Sequence, residues 1–320
     1  MINPLTFVGI GEVLYDVFED GTETLGGAPL NFAVHANQLA TLLGIGDGTI
    51  VSCINSDRRG YKILDALQRL KMSTRHIGKD SSHPTGLVSV FMRNGEPGYQ
   101  IEDGAAWDYI KDRPSLKDLA GRCGAVCFGS LAQRSTVSRG TIRAFLQNAP
   151  QAIRLYDVNL RENTLTGEAG YSPEIVAYSC KTATIIKANQ SELFEILGLL
   201  EIANPTDRTL DGIRCGMEVL LARYPAQAIV VTRGAQGTVV LNRDGEFDLS
   251  TPIAAEGPSH PVGAGDACSA GILFGISLGW DIHTTMELAN RMGADVASQP
   301  SATPPLSDST LKFVHAQLRT

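Results

Sequence analysis

The chain predicts an α/β fold, a doubly wound, mostly parallel sheet with a small antiparallel β lid. Three observations carry this reading. Short apolar runs alternate with longer stretches at helical spacing, as they do when strands are covered by helices on both faces. Two segments, Val13–Leu25 and Thr85–Asp103, are strand-like, with turns at Asp20-Gly21 and Asn94-Gly95 and no helix inside them. No Pro-, Gly- or Ser-rich linker, repeat or low-complexity tract divides the 320 residues. One domain over residues 1–320 is therefore expected, with lid segments at approximately 13–25 and 85–103.

The elements follow in order. Leu5–Gly11 reads as a buried strand, and Leu30–Leu43 as a helix whose entry suits Pro29 in its first turn. Thr49–Ile54 is a strand and Arg59–Leu70 a helix. Ala125–Gly129, Ile153–Val158, Thr184–Ala188 and Ala228–Thr232 are short apolar strands, each followed by helical spacing. Late helices are expected at Cys268–Leu278, Thr284–Ser298 and, after a turn at Pro304-Pro305, Ser309–Leu318. Ligands of such sheets bind beyond the carboxyl ends of the strands. Polar residues collect there: Glu12, Asp16, Asp157, Arg161, Asn189, Glu192 and Thr232.

Composition narrows the function. A formal charge of −7 without a basic run argues against a nucleic-acid surface and against anionic membrane. Gly, Pro or charge interrupts every apolar run before it reaches the length of a membrane span, and the start lacks the pattern of a signal peptide. Cys123 and Cys127 are four apart, but no second pair or nearby His completes a zinc set. Six scattered cysteines with no disulfide pattern suggest a reducing compartment, hence the cytoplasm.

Two glycine-rich segments carry the chemistry. Val262-Gly263-Ala264-Gly265-Asp266 opens an apolar helix, and the N–H groups of such a first turn, with the helix dipole behind them, form an anion site. An aspartate there repels the phosphate that the loop attracts. It makes sense if Asp266 takes the proton from a hydroxyl that attacks the phosphate; the other reading is a plain capping turn. Near the other end, Gly26-Gly27-Ala28-Pro29-Leu30-Asn31 lets backbone approach a ligand closely, and Asn31 offers both a donor and an acceptor to a sugar hydroxyl.

Together these segments resemble the two signatures of the ribokinase-like (PfkB) carbohydrate kinases, and matching segments fall in the family's order from residue 8 to residue 298. The resemblance implies a ribokinase-like fold and ATP-dependent phosphorylation of a sugar. Asp266 would be the base and Gly263, Ala264 and Gly265 the anion hole. Asp16, Gly26, Gly27, Asn31 and Arg161 would bind the sugar. Asn189, Thr232, Gly234, Gly237 and Asn290 would bind the nucleotide, and Glu192 would help position Mg²⁺ through water. Likeness at Asp157-Val158-Asn159-Leu160-Arg161 points to the fructokinase-like subgroup. The lid would be a homodimer surface.

Most of these residues have a plainer reading. Asp16 could be a solvated lid residue, and Arg161 could pair with Asp157. Asn189 and Glu192 could simply begin a helix. Gly234 and Gly237 could be turn residues, Asn290 a surface residue, and Trp107 core rather than a sugar-facing ring. One departure stands out. The family's Asp-Thr-x-Gly-Ala-Gly-Asp begins with a carboxylate at a monovalent-cation site, but this chain has His260. Imidazole cannot replace that ligand, so the resemblance does not carry over a potassium requirement. Kinases for 2-keto-3-deoxygluconate, ribose or a nucleoside, and a sugar-binding homologue without turnover, are the alternatives.

Overall fold

The computed structural model describes residues 4–93, 96–203, 206–255, 260 and 262–318, so the expected turn at Asn94-Gly95 lies outside the described residues. The chain falls into two compact units, Met1–Ala152 with Leu160–Ser172, and Ile153–Asn159 with Pro173–Thr320.

The first unit starts with β1 (Leu5–Ile10), β2 (Leu14–Phe18) and β3 (Glu23–Gly26). Next come α1 (Ala28–Leu42), β4 (Gly46–Ile54), α2 (Arg58–Arg69) and β5 (Ile77–Lys79). It continues through β6 (Gly86–Arg93), β7 (Glu96–Ile101), α3 (Pro114–Ala120), β8 (Ala125–Gly129) and α4 (Thr136–Gln147). β8, β1, β4 and β5 lie side by side in that order, all parallel. Phe7, Phe32 and Phe128 are fully buried around them. Covered on both faces, β1 and β8 have no polar alternation, which is why they stand out in the sequence as continuous apolar runs.

The lid is a separate four-stranded sheet in the order β3-β2-β6-β7. Its two hairpins are antiparallel, as expected, but β2 and β6 meet in parallel, with Leu14 opposite Gly86 and Phe18 opposite Val90. The reason lies in the main sheet. β1 and β5 run the same way, and each is followed within a few residues by its lid strand, so both strands leave in the same direction. The long crossover that a parallel pair requires is supplied by α1, β4 and α2.

Asp57 ties the root of the lid to α2. It caps the helix by accepting from the Gly60 N–H at 2.7 Å, and it accepts from Thr85 N–H at 2.9 Å and Thr85 Oγ1 at 2.7 Å, immediately before β6. Burial pushes the Asp57 carboxyl up, but these hydrogen bonds outweigh it and hold the group below its usual range. Caps of this kind stabilise a helix by about 0.5–2 kcal/mol. Trp107 is core, as its plainer reading held. It is 1 % exposed, with the Arg134 guanidinium 4.3 Å above its ring.

The second unit comprises β9 (Ile153–Asp157), α5 (Pro173–Thr182), β10 (Ile185–Asn189), α6 (Gln190–Leu199) and α7 (Leu210–Arg223). β11 (Ala228–Thr232), β12 (Thr238–Asn242), β13 (Phe247–Ser250), α8 (Ala264–Ser277), α9 (Ile282–Ala297) and α10 (Asp308–Gln317) follow. β9, β10 and β11 are parallel, and β12 and β13 extend them as an antiparallel edge. Helix α8 begins four residues before the apolar run at Cys268, which brings Asp266 into its first turn. Gly271 and Gly275 let α9 pack closely on it, since a Cβ at either would come within 3 Å of Ala289 or Thr285. Among the described residues no helix is long and apolar enough to cross a membrane, and all six cysteines are free.

Candidate active site

In the first unit, the expected sugar-binding residues gather where β2 and β3 meet α1. Asp16 on β2 pairs in register with Thr24, two residue pairs from Leu14 and Gly26. A Cβ at Gly26 would lie 2.8 Å from Asp16 Oδ2. Gly27 caps α1 with φ 112°, a conformation that disfavours any side chain, and its own Cβ would strike the Glu12 carbonyl. Asn31, buried on the first turns of α1, donates its N–H to Gly27 O at 2.9 Å. The Asp16 carboxyl is pushed up to about 6 by burial, against which the positive charge of Arg161 works. Arg161 therefore acts electrostatically on this group. Arg161 also lines a cavity of about 300 Å³ with Asp103, Asp108, Tyr109, Arg134 and Asn163.

In the second unit, Gly263 stands at the N-cap of α8 in the left-handed region, φ 86°. A side chain there would be strained, and its Cβ would come within 2.7 Å of the Ala302 carbonyl. Gly263 O accepts from the N–H groups of Asp266 at 3.1 Å and Ala267 at 3.0 Å. The N–H groups of Ala264 and Gly265 open the helix with no intrahelical acceptor, and Gly265 is exposed. Asp266 is 9 % exposed. This is an anion-receptive turn with a carboxylate on its first helical turn.

Beneath that turn lies a buried ion pair that the apolar reading of Thr184–Ala188 had passed over. Lys187 Nζ on β10 is 2.8 Å from Asp157 Oδ2 on β9, and the Ser269 hydroxyl on α8 donates to the same oxygen at 2.8 Å. Burial alone would push the lysine down. Asp157, with Cys268 and Asp266 further round, outweighs it and raises Lys187 above its usual range. A lysine inside an otherwise apolar strand was the available signal.

Asn189, Thr232 and Gly234 come together around one cavity of about 670 Å³, with Phe194, Arg208 and Arg233. The two arginines were not anticipated; Arg208 lies over the Phe194 ring at 3.9 Å. Gly237 and Asn290 do not line this cavity. Gly237 makes a tight turn at φ 79° beside Ser250 O. Asn290 pins α9 to the strand edge, accepting from Thr238 Oγ1 at 2.8 Å and donating to Ser250 Oγ and Thr251 O at 3.1 Å. Asn189 and Glu192 form a reciprocal capping box on α6, with bonds of 2.9 and 2.8 Å.

A parallel α/β sheet with a glycine-opened, acid-bearing helix start is a framework on which phosphoryl transfer can be built. The model of the pfkB family carbohydrate kinases matches residues 12–309, and the chain belongs to that family. It is a carbohydrate kinase by family, a phosphotransferase with an alcohol acceptor. A sugar kinase from Pyrococcus horikoshii is 26% identical over 96% of this chain and 95% of its own. The crystal structure of that uncharacterized sugar kinase superposes with a TM-score of 0.78 over 98% of both chains, at 23% identity. A fructokinase from Xylella fastidiosa with bound ATP gives 0.81 over 98% and 99%, at 20% identity. A 5-dehydro-2-deoxygluconokinase from Clostridium perfringens is 23% identical over 87% of this chain and 79% of its own. The structural likenesses show the fold.

The buried Asp16 carboxylate carries a stability cost whose sign can be worked out. Its pKa is about 6 in the folded chain against an ordinary 3.8, so the charged form is disfavoured by folding. The cost is full above pH 6 and vanishes as pH falls to 3.8. Asp16→Asn should raise the thermal midpoint at pH 7.5 by about 2–4 °C, corresponding to about 1 kcal/mol, and the gain should disappear near pH 4. Calorimetric scans of both proteins across this range check it.

Proposed function

We propose that the chain works as one domain that transfers the γ-phosphoryl group of ATP to a primary hydroxyl of a sugar, D-fructose foremost. The observation that carries the reading is Asp266, held on the first turn of α8 immediately after the anion-receptive turn of Gly263, Ala264 and Gly265. In this reading the sugar is bound by Asp16, Gly26, Gly27, Asn31 and Arg161. Asp16 accepts hydrogen bonds from neighbouring hydroxyls, and Arg161 contributes a planar donor fork. Asp266 takes the hydroxyl proton as the sugar oxygen bonds to the γ-phosphorus. The bond to the β-phosphate oxygen breaks, ADP leaves, and the N–H groups of Ala264 and Gly265 stabilise the charge in transit. Asn189, Thr232 and Gly234, with Arg208 and Arg233, hold the nucleotide. Preference for fructose rests on the Asp157-x-Asn159-x-Arg161 motif.

Mg²⁺ fits this chain as an ion carried on the nucleotide. No three acidic, His or Cys side chains converge among the described residues, and Glu192 is a buried single carboxylate with Oε2 accepting from Asn189 N–H. That suits a cation that keeps its waters and neutralises phosphate charge. The lid suits a homodimer, since Phe18 on β2 is 39 % exposed at its surface; sedimentation as a monomer at micromolar concentration would count against this. The free thiols accord with a cytoplasmic location, which cell fractionation tests.

Asp266→Asn should retain ADP and sugar binding in calorimetry while kcat falls about 10²–10⁴-fold. A mutant within threefold of the parent would remove Asp266 from the mechanism. In a coupled assay over a panel of sugars, D-fructose should give the highest kcat/KM. A tenfold advantage for 2-keto-3-deoxygluconate, 5-dehydro-2-deoxygluconate or ribose would overturn the substrate.

The His260 side chain is exposed, and its backbone N–H donates to Ala297 O at 2.7 Å. With no carboxylate at this position to balance, turnover should differ by less than about twofold between K⁺ and Na⁺ buffers at fixed ionic strength. Strong potassium activation of the unmodified protein would refute it.

A further inference from the structure

Lys187 is 4 % exposed, Asp157 6 % and Ser269 0 %, so the group they form is sealed from water. Every link in it leads to the start of α8. Lys187 Nζ pairs with Asp157 Oδ2 at 2.8 Å, and the same oxygen takes the Ser269 hydroxyl at 2.8 Å. Ser269 Oγ also approaches Gly265 O at 3.0 Å, one turn back and inside the anion-receptive turn. A hydroxyl has a single hydrogen, and the charged carboxylate is the stronger acceptor. The hydroxyl is thereby wedged between Asp157 and the glycine turn. Lys187 itself stands directly behind that turn, 3.5 Å from where a Cβ of Gly265 would be. Its backbone is fixed as well, with Lys187 O accepting from Val158 N–H at 2.8 Å.

A buried ion pair is a poor way to gain stability, because desolvation cancels most of the attraction and an apolar pair often does as well. Retaining one here calls for a different account. The charged groups that face the lysine are Asp157 from β9 and Asp266 from α8, with the thiol of Cys268 beside them. The aspartate at the helix start and an incoming phosphoryl group are both negative and compete for the same helix N-terminus. A fixed cation beneath the turn serves both.

We propose that Lys187 is a positioning residue for phosphoryl transfer, which through Asp157 and Ser269 holds the first turn of α8 and sets a fixed positive charge behind Gly265. The inference rests on the kinase reading above. It assigns Lys187 no contact with the sugar, so its loss acts on the chemical step and spares sugar affinity.

The test uses the full chain and the best sugar from the panel. Lys187→Met should lower kcat about 100-fold, the scale of losing one fixed charge-stabilising group, with KM for the sugar within threefold. The acid limb of the kcat–pH profile should move up by about one unit, because a cation near Asp266 favours its ionised form. Lys187→Met alone strands the Asp157 charge and is expected to lower the melting midpoint. Lys187→Met combined with Asp157→Asn removes that charge and keeps an acceptor for Ser269. This double variant should regain thermal stability without regaining kcat. A purely structural ion pair would instead return both together, and that result overturns the proposal. So does a kcat within threefold of the parent in either variant that folds. If Lys187→Met does not fold, the double variant decides alone. Absence of turnover in the unmodified protein on every sugar would instead overturn the kinase reading itself.

Discussion

The second unit is organised around one electrostatic arrangement, a carboxylate on the first turn of a helix whose N-terminus, in the kinase reading, also receives a phosphoryl group. A helix start offers the equivalent of about half a positive charge, and Asp266 already draws on it. The additional charge is set underneath, on β10, where Lys187 is buried and held by Asp157. Much local geometry is arranged for this. Gly263 turns left-handed so that α8 can begin before its apolar stretch, and α9 packs on Gly271 and Gly275 to fix the helix. Ser269 fastens the same turn to the sheet through Asp157.

The first unit solves a different problem, that of building a polar pocket from a sheet with no helix of its own. The lid grows directly from the ends of β1 and β5, and its parallel seam follows from their common direction. Its root is held by Asp57, whose carboxylate closes three hydrogen bonds between α2 and Thr85. Its far edge is held by Glu23 on β3, which pairs with Arg59 at 2.9 Å and Lys62 at 2.8 Å on α2. With both ends anchored, the sheet can present Asp16 in a buried setting that disfavours the charge it carries. A carboxylate held in such a setting is where the sugar-binding reading of Asp16 places its role.

Much of this was legible from residue order, and the exceptions have physical causes. β8 and β11 were bounded correctly because both are buried, apolar and closed by glycine or by threonine. The glycine turns showed because only glycine suits them. The parallel seam of the lid was hidden because β2 and β6 are separated by about seventy residues, and hairpin signals report only neighbours. Lys187 was hidden for the opposite reason. Its neighbours Ile185, Ile186 and Ala188 are buried and apolar, so the strand reads as core and its one charge looks incidental. The bonds of half-buried Asn290 were hidden too, since its partners Thr238 and Ser250 lie on strands forty and more residues away.

Several candidate residues carry both a structural and a chemical reading, and the structure shows why these need not conflict. Asn189 and Glu192 bond reciprocally as a helix cap, which alone would explain their spacing. Yet Asn189 also lines the cavity shared with Thr232, Gly234 and two arginines. A cap restrains the rotamers of both side chains, so less side-chain ordering entropy would oppose a ligand that engaged them. The same logic applies to Asp157, which orders Lys187 and Ser269 at once, and to Gly263, which both starts α8 and opens its N–H groups. In a fold whose ligands gather at the ends of strands, the residues that end a strand and begin a helix are already immobilised by that junction. Chemistry placed there inherits its precision from the scaffold, and so the plainer readings of these residues describe how the sharper ones become possible.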